Sequence, residues 1–417
     1  MTLNMDIVAA IIFALALIHT FTAKSFEALA YKHPRHAGLF HLLGEVEVVF
    51  GFWAFILIGL LAIFAGGDKA ISYVESRQYT EPLFVFVIMV VAASRPVLSV
   101  VRNMILLVAD IMPMNKMIAQ IWLSMAVVPL LGSFITEPAA MTIAALLLAP
   151  LVFNQKIPEW LKYASLGVLF VNISIGGTLT SYAAPPVLMV ATAWQWDSAF
   201  MATTFGWRAA ITVLINSTVL SYMLYKHIAL IKVAKDLAKE RKIPLMVSMI
   251  HMLFLIGVIL FAHHPVLFFG LFLLFLGFTQ AYERHQSPLI LKEGMLVGFF
   301  LAGLVVLGGM QQWWLQPIVS RLEPLELFFG ATALTAITDN AALTYLGSLI
   351  VGMSDEAKYM LMAGAVTGGG LSIIANAPNP AGVSLLKRGF DEGSVGAVAL
   401  LLGALPPTIV AAILFLI

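Results

Sequence analysis

At 61% hydrophobic and 11% charged, this 417-residue chain is too apolar for a soluble protein, which carries nearer a quarter charged residues. A formal net charge of +1 excludes the basic footprint of a nucleic-acid partner, and the absence of cysteine excludes disulfides and thiolate-held zinc or iron–sulfur centres. Apolar stretches near the roughly 20 residues a membrane helix needs recur from Met5 to Ile417, so the expected solvent is a lipid bilayer.

In chain order, the first helix is expected at Met5–Phe21, and the start of the chain lacks the positive n-region of a cleaved signal. A second follows at Leu39–Ala65, a third from Pro82 to about Pro96, and an interfacial helix runs on to Asp110. Met117–Pro150 is broken by Leu131-Gly132-Ser133 and Thr136-Glu137-Pro138, which suits a re-entrant hairpin better than a straight span. Tyr163–Ala193 is interrupted by glycine and proline, and Ala199–Tyr225 closes the first half. The second half offers Leu245–Ala262, Pro265–Ala281, Gly294–Met310, a second interrupted segment Pro324–Val351, a Gly/Pro-broken helix Tyr359–Leu386, and a last helix Val395–Ile417. The expected class is an all-α polytopic membrane protein with about ten transmembrane helices and two re-entrant helical hairpins.

The basic residues orient these spans. The densest group, Lys226, Lys232, Lys235, Lys239, Arg241 and Lys242, marks a cytoplasmic linker at 226–244 in an inner membrane. Alternation then keeps most other Lys and Arg on that side, provided both interrupted segments enter and leave by one face. Trp194/Trp196 and Trp313/Trp314 fall at the outer interface as an aromatic belt.

An internal repeat is visible. Ile135-Thr136-Glu137-Pro138-Ala139-Ala140-Met141-Thr142 returns as Ile337-Thr338-Asp339-Asn340-Ala341-Ala342-Leu343-Thr344, with five of the eight positions identical. Downstream, Gly176-Gly177-Thr178-Leu179-Thr180 corresponds to Gly368-Gly369-Gly370-Leu371-Ser372, Ala183 to Ala375 and Pro186 to Pro378. The expected topology puts the two hairpins on opposite faces, so the repeats are inverted. The chain then divides into an amino-terminal helix and loop (1–38), a first repeat (39–225) with hairpin 117–150 and broken helix 163–193, a linker with an extra helix (226–262), and a second repeat (263–417) with hairpin 324–351 and broken helix 359–386.

Glu137 and Asp339 occupy equivalent tips, and a carboxylate at membrane depth is expensive enough to need a reason. Each could simply cap a half-helix, but a neutral side chain suffices for that, and Thr136 and Thr338 stand beside them. Around the breaks lie Asn172, Gly176, Gly177, Thr178 and Thr180 in one half, and Asn340, Gly369, Gly370, Ser372 and Asn376 in the other. Glycines permit unwound backbone with freed carbonyls, and hydroxyl and amide oxygens add hard ligands suited to an alkali cation. Close packing of small residues explains the glycines alone about as well. Glu45, Glu47 and Arg95 are further membrane charges, as an ion pair or a proton-coupling group, while Arg208 reads as structural. His33, His36 and His41 resemble a metal motif only loosely, and His263-His264 reads as a turn.

At these residues the chain resembles the ion-transporter superfamily, and within it the NhaD-type sodium/proton antiporters and the "putative Na+/H+ antiporter" families. The carriers are Thr338-Asp339-Asn340, its variant Thr136-Glu137-Pro138, Asn172-x-x-x-Gly176-Gly177-x-x-Thr180, and Gly368-Gly369-Gly370-Leu371-Ser372-Ile373-Ile374-Ala375-Asn376. The departure is Glu137-Pro138 where the pattern has an Asp-Asn pair. The resemblance implies a scaffold and a transport unit that moves like an elevator, cation sites at hairpin tips and helix breaks, and a homodimer.

The expected function is therefore Na+ (or Li+)/H+ antiport, with cation and proton competing at Glu137 and Asp339 and no cofactor beyond the transported ions. The alternative is Na+-coupled symport of a small anion, a dicarboxylate or oxyanion, which two acids at the tips would repel unless cations bound first. An intramembrane enzyme is disfavoured, since neither His-Glu-x-x-His nor Gly-x-Ser-x-Gly occurs.

Overall fold

A computed structural model describes residues 4–228 and 243–417, and every described element is helical. Most of the linker expected at 226–244 lies outside the described residues. In chain order come α1 (Met5–Lys32), α2 (Ala37–Gly44), α3 (Val46–Ala65), α4 (Gly67–Glu75), α5 (Thr80–Ala92) and α6 (Arg95–Ile111). Then follow α7 (Lys116–Ile135), α8 (Glu137–Leu148), α9 (Glu159–Gly176), α10 (Pro185–Trp194), α11 (Ser198–Met201) and α12 (Trp207–Ile228), the last two joined by a π turn. The remainder is α13 (Leu245–Leu260), α14 (Pro265–Ala281), α15 (Leu291–Gly308), α16 (Gln312–Val319), α17 (Pro324–Thr335), α18 (Asn340–Ser348), α19 (Asp355–Gly368), α20 (Asn379–Leu386) and α21 (Ala397–Leu416).

Among the described residues five helices are long and apolar enough to cross a bilayer: Val48–Ala65, Lys116–Ile135, Ser198–Ile228, Leu291–Gly308 and Ala397–Leu416. Thr80–Ala92 and Arg95–Ile111 meet the same test only together, bent by 64° at their break. Met5–Thr20, Glu137–Phe153, Pro185–Trp194, Leu245–Leu260 and Pro265–Ala281 are apolar but shorter.

The chain forms two compact units. The first comprises Met1–Phe86, Leu291–Leu322 and Tyr345–Met353. In it α3 and α15 approach so closely that a Cβ on Gly303 would strike the Phe50–Gly51 backbone. The apolar run expected as one helix from Leu39 to Ala65 is divided here, because α2 ends at Gly44 and Glu45 is extended at the start of α3.

The second unit comprises Val87–Ile290, Glu323–Thr344 and Ser354–Ile417, and it holds both copies of the repeated motif. Asn115 caps α7 by accepting from the Met117 and Ile118 amides at 3.0 and 3.4 Å. α7 then runs unbroken through Leu131-Gly132-Ser133, contrary to the sequence expectation, and stops at Ile135. Gly132 lies inside the helix at the close approach of α7 and α8, where a Cβ would come 3.2 Å from that of Ala140. The reversal is made at Thr136, whose φ of 83° is a rare setting for a β-branched residue. α9 gives way at Gly177–Leu179 to a 3-10 turn and extended chain until Pro185-Pro186 restart α10. α19 likewise gives way at Gly369, and Asn379-Pro380 start α20.

Candidate functional site

Glu137 is the first residue of α8 and wholly buried. Its Oε2 accepts from Asn376 Nδ2 at 2.9 Å, so an acid at the first tip meets the break between α19 and α20. Its Oε1 has no hydrogen-bond partner among the described residues, and none of their ion pairs reaches it. Gly177 faces that oxygen so closely that any Cβ would collide with it. A buried carboxylate with one neutral partner is a high-energy arrangement, which intramembrane function commonly explains.

The strained turn at Thr136 precedes this acid, and its buried hydroxyl has no partner among the described residues. Holding a β-branched residue there costs roughly 1–3 kcal/mol. Thr136→Gly should therefore melt at or above the wild-type temperature in detergent. A lower melting temperature would mean that the threonine side chain, not the tip geometry, stabilises the turn.

The second tip is built differently. Asp339 is half-buried, and its Oδ1 accepts from the Ala341 and Ala342 amides at 2.8 and 3.2 Å, so it caps α18. Thr338, the neighbour that could have capped, donates instead to the Leu334 carbonyl at 2.9 Å. Asn340 is buried, with its backbone N–H on the Ala375 carbonyl at 3.1 Å and its amide 3.5 Å from Ser174 Oγ. Ser174 lies on α9 and donates to the Val366 carbonyl of α19 at 2.7 Å. Thus the first tip reaches the break after α19, and the second tip reaches the broken helix α9.

Ser133 holds the first break. Its hydroxyl donates to the Gly176 carbonyl at 2.7 Å and accepts from the Leu179 amide at 2.9 Å, while Thr180 donates to the Ser133 carbonyl at 2.6 Å. Thr178 bonds back to the Ile175 carbonyl at 2.7 Å, and Gly176 sits where a Cβ would come 2.6 Å from the Pro129 carbonyl oxygen. In the second break Asn379 donates to the Gly369 and Ser372 carbonyls at 2.8 and 2.9 Å. Gly369 packs on Ser174 Oγ and Gly370 on the Val171 backbone.

Among the described residues, the buried oxygens without partners include several in these tips and breaks: Glu137 Oε1, Asn340 Oδ1, Ser372 Oγ, Asn376 Oδ1, Asn379 Oδ1 and the hydroxyls of Thr136 and Thr367. Orphaned buried acceptors are costly, and an all-oxygen donor set suits a hard cation. Asn172 belongs elsewhere in its contacts: its amide donates to the Met125 carbonyl and Ser217, and its oxygen accepts from Asn216 at 3.0 Å. Ser174 and Thr335, another orphaned buried hydroxyl, escaped the sequence reading. Ser174 stands two residues before the Gly176-Gly177 break, the one signal that could have drawn notice.

The remaining charges divide. Glu45 pairs with Lys292 at 2.8 Å; the Glu47 side chain lies outside the described residues; Arg95 is half-buried at the bend before α6. Arg208 stacks over the Trp207 and Tyr359 rings at 4.4 and 5.5 Å, as a structural cation would. His33, His36 and His41 are exposed, and the described residues hold no group of three possible metal-binding side chains. Trp196 is buried among Trp194, Phe200 and Phe205.

A family model described as "Putative Na+/H+ antiporter" matches residues 4–417 of the chain. No curated protein matches it.

Proposed function

The chain belongs to the "Putative Na+/H+ antiporter" family, a multi-pass membrane transporter family, and from that premise we propose that it exchanges Na+ or Li+ for H+ at the two tips of its second unit. The observation that carries the proposal is Glu137: wholly buried, bonded once to Asn376, and with Oε1 unpartnered among the described residues beside other orphaned oxygens. Either a proton or a small cation satisfies that oxygen, and the two cannot occupy it together. Asp339 supplies the second charge. The matched motifs form inverted repeats with re-entrant tips, and alternating exposure of one site by an elevator movement converts this competition into exchange.

Anion symport gains nothing from this geometry, because two acids at the tips repel an anion. Competition also fixes a sign. As pH falls, the proton gains and apparent Na+ affinity drops, by about tenfold per pH unit where the protonated form dominates.

Adding Na+ to weakly buffered purified protein should therefore release protons. Asp339→Asn separates charge from capping, because an Asn side-chain oxygen can still accept from the Ala341 and Ala342 amides. That variant should keep its melting temperature, since Asn and Asp cap about equally well. It should lose much of the Na+-linked proton release. Na+ binding without proton release in the wild type would overturn the proposal.

A further inference from the structure

A second polar site lies away from the acids, where the connection after α20 folds onto the start of α9. Phe390 packs its ring 5.6 Å from Phe153 and 4.9 Å from Tyr163, and the Gly396 amide donates to the Tyr163 hydroxyl at 3.0 Å. Lys162 donates to the Gly389 carbonyl and lies 3.6 Å from Glu159, whose Oε1 also accepts from the Asp391 amide at 3.1 Å. These contacts border a shallow, largely open cavity of about 570 Å3.

Lys156 and Arg388 also line it. Both are exposed, and among the described residues neither head group has a hydrogen-bond or ion-pair partner. Of the two acids present, Glu159 is engaged by Lys162 and the Asp391 amide, while Asp391 is exposed to water. The uncommitted charges at the cavity are thus two cations carried by two different connections and the exposed Asp391, so the cations outnumber the free acid.

We propose that this cavity binds a phosphate-bearing anion held between Lys156 and Arg388. An Arg guanidinium matches two phosphate oxygens at once, and a Lys ammonium neutralises the remaining charge. The volume lies in the range of small-molecule sites, and the polar lining suits a hydrophilic group rather than an acyl chain. Three cations in the lining disfavour Na+. The phosphate can belong to an anionic lipid headgroup or to a free phosphate. Trp160, beside Glu159, is 58% exposed, as residues at headgroup level often are.

The test uses the intact protein in detergent, titrated calorimetrically with inorganic phosphate, short-chain phosphatidic acid and, as a neutral control, short-chain phosphatidylcholine. Wild-type protein should bind phosphatidic acid or phosphate but not phosphatidylcholine. Lys156→Gln/Arg388→Gln should weaken that binding by at least about tenfold through loss of two charge-assisted contacts, with unchanged ligand-free melting. Lys156→Arg, which keeps the charge, should retain it. Binding of phosphatidic acid alone identifies a lipid headgroup, and equal binding of inorganic phosphate identifies a free anion. No binding by the wild type, or equally tight binding by the double variant, would overturn the proposal.

Discussion

Glu137→Gln should abolish Na+-dependent proton movement in reconstituted vesicles while leaving expression and melting close to wild type. Glutamine matches the shape of the neutral acid and can still accept from Asn376, which sits 2.9 Å from Oε2 in the native protein. What it loses is the charge that makes proton and cation compete. Removing a charged partner from a buried contact costs about 1.5–3 kcal/mol, or roughly 10- to 100-fold in Na+ affinity. Proton coupling at the first tip should vanish, since an amide does not titrate. Wild-type exchange by this variant would remove Glu137 from the mechanism.

Gly167→Leu should prevent the second unit from folding. α9 and α21 cross there with backbones in contact: a Cβ on Gly167 would strike the carbonyl of Gly403, and one on Gly403 would strike that of Tyr163. Such glycine crossings are how membrane helices approach when water offers no hydrophobic drive. α21 cannot easily withdraw, because its Phe415 carbonyl accepts from the Tyr359 hydroxyl at 2.7 Å and its Pro407 carbonyl from Asn216 at 3.4 Å. Overpacking a side chain costs about 1–3 kcal/mol, and forcing backbones apart costs more. We expect loss of the monodisperse species in fluorescence-detected chromatography. Gly59→Ala, at a position with nothing within 4 Å of its Cβ, is the control and should fold normally. Normal folding of Gly167→Leu would show that the crossing tolerates separation.

Much of the site was legible because acid, glycine and proline are conspicuous in apolar sequence. Glu137, the Gly176-Gly177 break and the Gly368–Gly370 break each stand where the repeated blocks put them. What was not legible depends on long-range packing. The reversal is made by Thr136 at φ 83°, not by the flexible-looking Leu131-Gly132-Ser133, because Gly132 is needed inside α7 for the approach of Ala140. Asp339 does cap its helix, although a capping threonine stood next to it, because the Thr338 hydroxyl points back to Leu334. The bonds of the Asn172 amide to residues of α7 and α12 are long-range contacts that its place beside the glycines does not reveal. Ser174 looked like nothing, yet it lies between the second tip and α19. Short amphipathic pieces such as α4 are hidden by their polar composition, since apolar runs are what mark a membrane helix in sequence.

The most direct test of exchange is a preformed pH gradient in proteoliposomes holding the wild-type protein, followed by a pulse of Na+ or Li+. Rapid collapse of the gradient, steeper at higher pH where the proton competes less well, is the predicted result. A gradient that withstands both cations at every pH, while Na+ drives uptake of a labelled dicarboxylate, would contradict the account.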